Sequence, residues 1–215
     1  MKNKFIYAVV IVFVVACSNA GVHFGKKPLQ LSGFDFDLNI PEFFNDEKVF
    51  EGNAADLFVE VEEGFINSDD GKEVNYVIYS QRSAKDGIKV LKYGSTGFSK
   101  MVLCSDLADK EVFLVEGKEE GMTPKDIDRL VAKLKSDLGD PIPYNQLENP
   151  DSYVSYEWHK ENKVVKLVLD MGANIAYGEE PPADWQQTRY REEEEIEAKI
   201  SIVTVEFYKA LREIQ

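Results

Sequence analysis

The chain reads as an α+β fold, a largely antiparallel β-sheet of about eight strands with one amphipathic helix packed on it. Three observations predict this. Short runs of alternating apolar and polar residues, separated by turn-forming clusters, recur from Leu57 onward. One stretch alone, after Thr123, carries a full set of helix signals. An apolar fraction of 44% with 12% aromatics is enough for a sizeable core.

The first strand places Leu57, Val59, Val61 and Phe65 on one side and Phe58, Glu60 and Glu62 on the other. Asn67-Ser68-Asp69-Asp70-Gly71 supplies turn chemistry before a second strand, Glu73–Ser80. Lys85-Asp86-Gly87 turns the chain into Ile88–Tyr93, and Gly94–Gly97 separates that strand from Phe98–Cys104. A fifth strand, Glu111–Glu116, stops at Gly117.

The helix follows. Thr123 suits the N-cap, Pro124 the first helical position, and Asp126 the positive helix end. Ile127, Leu130, Val131, Leu134 and Leu138 recur at helical spacing, and Gly139 with Pro141 ends the run. That stripe should lie on the sheet. Tyr153–Lys160 and Lys163–Asp170 then form a hairpin about Glu161-Asn162, and 199–208 is the last and most β-rich strand. Phe207–Ile214 closes the chain as a short helix. The polar excursion Gly172–Glu197 far exceeds a hairpin's needs, and loops of that length are usually functional or disordered.

Residues 18–32 show no periodicity and read as a tether, which as a flexible coil would span roughly 20 Å. The domain plan is thus 1–16 signal peptide, 17–33 tether and 34–215 a single α+β domain.

The signal rests on Lys2 and Lys4 ahead of the uninterrupted apolar stretch Phe5–Ala16. That stretch reaches roughly 18 Å as a helix, well short of a hydrocarbon core of about 30 Å, so it does not read as a membrane span. Ser18-Asn19-Ala20 offers small residues for an ordinary secretory cleavage. Val14-Val15-Ala16-Cys17 also resembles the lipobox of bacterial lipoprotein precursors, with Val14 where Leu is the usual choice. The resemblance implies that Cys17 becomes the first mature residue and carries acyl chains, palmitate among them. Several chains on one residue give stable anchoring. The protein would then sit in the cell envelope, lipid-anchored and facing the periplasm or exterior; cleavage after Ala20 would leave it secreted and soluble.

Cys104 is the second of two cysteines. Lipidation or cleavage removes Cys17 from pairing, so the mature domain has no intrachain disulfide, and Cys104 reads as a small buried hydrophobe. The net charge is −14, and loss of Lys2 and Lys4 makes the mature chain −16 by side-chain count. Such a surface repels nucleic acid and anionic headgroups and suits a basic protein, a cationic ligand or Ca²⁺.

No catalytic, metal-ligating or cofactor-binding constellation emerges, and the chain does not read as an enzyme. His159, beside Trp158, alternates onto the face of Tyr153, Ser155 and Glu157, where it pairs with Glu157 in solvent; Tyr156 and Trp158 face the core. His23 lies in the tether with no fixed geometry, so zinc and triad sites lack a second member. Glu60 and Glu62 stand about 7 Å apart on one strand face, near the glycosidase range, but both face water. Asp35, Asp37 and Asn39 open like a Ca²⁺ loop, yet Ile40 stands where Gly is required. Gly94–Gly97 lacks the Lys-Ser/Thr pair of a P-loop. Glu192–Glu195 with Arg189 and Arg191 form a solvated charged face.

The aromatics of the excursion, Tyr177, Trp185 and Tyr190, are the candidate partner-binding residues, because exposed rings bury large area at little entropic cost. The functional expectation is a lipid-anchored extracytoplasmic binding or accessory protein with a protein or small-ligand partner. The alternative is an anionic inhibitor or immunity protein neutralising a basic enzyme or toxin outside the cytoplasm.

Overall fold

Among the described residues the chain forms thirteen elements, most of them where alternation or capping signals stand in the sequence. The computed structural model describes residues 22–44, 57–67, 73–84, 87–142, 153–170 and 196–212. In chain order these hold β1 (Leu29–Gln30), α1 (Ile40–Phe43), β2 (Leu57–Asn67), β3 (Glu73–Ala84), β4 (Leu91–Tyr93), β5 (Thr96–Phe98) and β6 (Lys100–Ser105). Then come β7 (Val112–Met122), α2 (Pro124–Leu138), β8 (Tyr153–His159), β9 (Lys163–Asp170), β10 (Ile196–Thr204) and α3 (Val205–Arg212).

Seven strands make one sheet in the order β2-β3-β6-β7-β10-β9-β8, every neighbouring pair antiparallel. Two meanders build it. The first runs from β2 to β7; α2 then carries the chain to the far edge, and β8 and β9 step back until β10 closes against β7. A small sheet, β1-β4-β5, pairs β1 parallel to β4.

The period of two along each strand gives the main sheet two distinct faces. On the first, Met101, Leu103, Val115, Leu167 and Ile200 are buried beneath α2, the small sheet and the N-terminal segment. On the second, Ile66, Cys104, Val164 and Val203 are covered by Phe207 and Ala210 of α3. Beyond α3 that second face carries Lys100, Lys118 and Lys199 in one row.

α2 forms as its sequence signals predict. Thr123 accepts the Asp126 amide through Oγ1 at 3.3 Å, and Ile127, Leu130 and Leu134 are buried. Gly139 stops the helix at φ +82°, a backbone region that favours glycine. The Gly139 carbonyl accepts the Trp158 Nε1–H at 2.8 Å, so the helix end is tied to β8.

The α+β class holds, with ten strands in place of eight and three helices in place of two among the described residues. The expected strand from Phe98 to Cys104 divides because the Ser99 amide turns aside to a Glu119 carboxylate oxygen, 2.7 Å away. The last strand ends at Thr204 instead of running to Tyr208: Thr204 Oγ1 accepts the Phe207 amide at 3.3 Å and starts α3 there. Ile196 and Glu197 belong to β10, not to the excursion. Most consequentially, residues 22–33 of the expected tether 17–33 are packed, and 17–21 lie outside the described residues. Phe24, Leu29 and Leu31 are buried, the Phe24 amide donates to the Phe43 carbonyl at 2.8 Å, and β1 lies beside β4. The irregular spacing of these apolar residues hid a segment that fills the core without periodic structure. His23, expected to lack fixed geometry, holds the Glu42 carbonyl through Nδ1 at 3.0 Å.

Candidate functional site

The cross-strand register decides which chemistry-bearing groups can meet. Cys104, Leu114, Val203, Val164 and His159 occupy one row across β6, β7, β10, β9 and β8. Four strand spacings separate Cys104 from His159, about 19 Å, which no thiol–imidazole pair can bridge. Burial, then the Glu116 charge, pushes the Cys104 thiol up to about 12, so it is neither thiolate nor accessible nucleophile.

The densest set of functional groups lies where α3 meets the β8 edge. Glu157 Oε1 accepts from Tyr208 Oη at 2.8 Å and pairs with His159 Nε2. The His159 and Tyr208 rings meet edge to face at 5.7 Å, and the Arg212 guanidinium lies 5.8 Å over the Tyr208 ring. Burial pushes the Glu157 carboxyl up, but hydrogen bonds from His159 and Tyr208, with the nearby charges of His159 and Lys166, outweigh it and hold the group below its ordinary value. Burial first, then the Glu157 carboxylate, pushes the Tyr208 hydroxyl up to about 12.

The Glu157–His159 pairing follows the strand alternation, but its environment does not: Glu157 is only 7% exposed, not solvated. The added partner is Tyr208, placed by the helix that replaces the expected strand end. Its available signal was the Thr204 cap followed by Lys209 and Arg212 in the last turn. Chemically the arrangement is a clamp. Carboxylate, imidazole and phenol satisfy one another and hold α3 against the sheet.

A second polar set covers the open part of the same sheet face. Lys100, Lys118 and Lys199 stand directly opposite one another across β6, β7 and β10. Like charges in register repel, so carboxylates from the flanking rows must intervene. Lys100 and Lys118 share Glu120 (2.7 and 3.5 Å), Lys118 reaches Glu197 at 2.7 Å, and Lys199 reaches Glu116 at 3.4 Å. The Glu197 hydrogen bond is the main cause raising Lys118, and the Lys100 hydrogen bond the main cause lowering Glu120.

On the opposite face, Tyr79 Oη donates to Asp109 Oδ1 at 2.7 Å, and Ser105 Oγ to the same oxygen at 3.0 Å. Asp109 adopts φ +54°, so a non-glycine left-handed turn is held by this buried pair. Burial above all, then Asp109, pushes the Tyr79 hydroxyl well up.

Among the described residues no group of three or more His, Cys, Asp and Glu side chains is placed to hold a metal ion. Asn39 is occupied as the α1 cap, accepting the Glu42 amide at 3.1 Å. Gly94–Gly97 forms the β4–β5 hairpin, with Gly94 at φ +60°. Glu60 and Glu62 lie on the edge strand β2. Cys17, the aromatics Tyr177, Trp185 and Tyr190, and the charged run Arg189–Glu195 lie outside the described residues.

No protein-family model matches this chain, and no curated protein or solved structure matches it. No described helix is long and apolar enough to cross a membrane.

Proposed function

We propose that this is a lipid-anchored extracytoplasmic binding or accessory protein, held to a membrane through acyl chains on Cys17. The observation that carries the reading is the N-terminus itself: Lys2 and Lys4, an apolar stretch, then Val14-Val15-Ala16-Cys17. The described residues pack against the core from Val22 onward, five positions beyond Cys17, which supports an anchor at that end of the chain. The satisfied Glu157–His159–Tyr208 clamp favours recognition over bond-making chemistry, with the excursion aromatics Tyr177, Trp185 and Tyr190 offered to a partner. The surplus acidity favours a second reading, an inhibitor of a basic enzyme or toxin.

Intact mass of the membrane-extracted protein tests the anchor. Acyl groups on a chain starting at Cys17 are expected, and Cys17→Ser should abolish them while leaving the thermal melt unchanged. A mature chain beginning at Gly21 in the soluble fraction overturns the reading. For the second reading, affinity for a basic protein should fall steeply with salt.

A further inference from the structure

Different parts of the chain cover the two faces of the main sheet. The N-terminal segment and the small sheet lie on the first face, and α3 lies on the second. Val22, five positions after Cys17, already packs on the first-face core. The chain then folds back on itself. The Lys26 amide donates to the His23 carbonyl at 3.1 Å, and Gly25 takes φ +75° in the third position of that turn, where a positive φ favours glycine. A turn of this kind keeps the Lys26 and His23 Cα atoms within about 7 Å, so Lys26 gains little distance from Cys17, and Lys27 follows at its exit. Beyond Pro28 the Leu29 amide donates to the Val90 carbonyl at 2.9 Å, and the Leu31 amide to the Lys92 carbonyl at 2.8 Å. β1 and β4 therefore lie side by side with Gln30 opposite Lys92. Leu29, Leu31, Leu91 and Tyr93 are buried, so the alternation turns Lys92 outward.

Lys26, Lys27 and Lys92 are exposed, and none of them forms an ion pair among the described residues. The lysines of the second face differ: Lys100, Lys118 and Lys199 each meet a carboxylate. Asp35, the first acid of the N-terminal segment, is drawn off towards Lys163 at the start of β9. Resting on the acylated Cys17 proposed above, we infer that the N-terminal segment and the small sheet are the membrane-facing side of the domain, with Lys26, Lys27 and Lys92 seated on acidic phospholipid headgroups. Acyl chains would hold this side at the bilayer, where free ammonium groups within a Debye length of an anionic surface are attracted to it, each adding to the next. The net charge of −14 opposes such a surface for the chain as a whole, so contact depends on this cationic side being the one presented. α3, with its exposed Lys209, then faces away from the membrane.

The test reconstitutes the membrane-extracted full chain into vesicles of phosphatidylcholine alone or with about one-third phosphatidylglycerol. Amines are acetylated with an uncharged succinimidyl ester and read by peptide mass. On the anionic vesicles, acetylation of Lys26, Lys27 and Lys92 should fall at least threefold, while Lys209 stays within about 1.5-fold. High salt, which shortens the Debye length to about 3 Å at 1 M, should restore labelling while the acyl chains keep the protein on the vesicle. The double variant Lys26→Glu, Lys27→Glu should melt as the parent does, and its Lys92 should return to the labelling seen on phosphatidylcholine. Protein that does not float with the phosphatidylcholine vesicles overturns the anchor itself. Protein that floats, yet labels equally at the three lysines on both vesicles, overturns the membrane-facing side alone. Equal protection of Lys209, or a Lys92 still protected in the double variant, overturns it as well.

Discussion

Glu157 shows how one side chain can be legible in partner and illegible in environment. Alternation along β8 puts it beside His159, and the two do pair. What alternation cannot give is burial, because the cover comes from Tyr208 on a helix 51 positions later in the chain. The carboxyl is lowered in the folded state, so its stabilising contribution is present above its unfolded value, about 4.3, and is lost as pH falls through the lower folded value. Glu157→Gln should cost about 1.5–3 kcal/mol near pH 7, the range for hydrogen bonds to a charged group. The gap between the two proteins' melts should narrow steadily below pH about 4, and a gap constant down to pH 3 would mean that the carboxylate charge contributes nothing. Cys104 offers a second check. With its thiol pushed up to about 12 and buried, a Cys17→Ser chain should resist maleimide at pH 7.5 until denaturant exposes it. Prompt labelling of the native protein would show that α3 opens from the sheet.

Elements were readable where caps and periodicity agreed. α2 has both, and its buried set, Ile127, Leu130 and Leu134, lies within the predicted stripe. Leu130→Ala and Leu134→Ala should each cost about 2–5 kcal/mol, the range for buried Leu, measured by denaturant midpoints. Midpoints unchanged in both variants would detach the helix from the core. α3 was half legible: the run Ile200–Val205 is so rich in β-branched residues that strand propensity extends past the Thr204 cap, and the cap decides. The N-terminal segment was illegible as structure, since Phe24, Leu29, Leu31 and Phe34 fit neither a period of two nor one of 3.6. Their burial depends on a surface formed by residues far along the chain. Lys163, which donates to the Phe34 carbonyl, stitches the two ends of that dependence together.

At the scale of the whole molecule, the fold class and the hairpins were present in the turn chemistry, whereas the strand order was not. Nothing local says that β10 returns to lie against β7, because that pairing spans α2 and a complete hairpin. Charge is also arranged globally. The described residues are close to balanced in acids and bases, so most of the −14 falls in the stretches that join them. The largest such stretch joins β9 to β10, which already meet as antiparallel neighbours at Glu197 and Asp170. Replacing residues 171–195 by a short turn should therefore change stability by only about 1–2 kcal/mol, since closure entropy grows slowly with length. Partner recovery from envelope extract should nevertheless be lost if Tyr177, Trp185 and Tyr190 form the contact. A collapsed melt would instead make Trp185 part of the core, and equal recovery would place the contact outside residues 171–195.

If Cys17 is acylated, the packing of the chain from Val22 onward sets how the protein can search for a partner. Five residue steps separate Cys17 from Val22, which fully stretched reach about 17 Å and as a flexible coil about 12 Å. The radius of gyration expected for a domain of this size is about 16 Å, which makes the body roughly 40 Å across, more than those five steps can span. With acyl chains on Cys17 the domain would glide in the membrane plane, unable to swing far above it. Its encounters would be two-dimensional, with partners bound to the same membrane or passing within a few nanometres of it. Confinement to so thin a layer raises the local concentration of both parties, so a contact too weak to persist in free solution can suffice here.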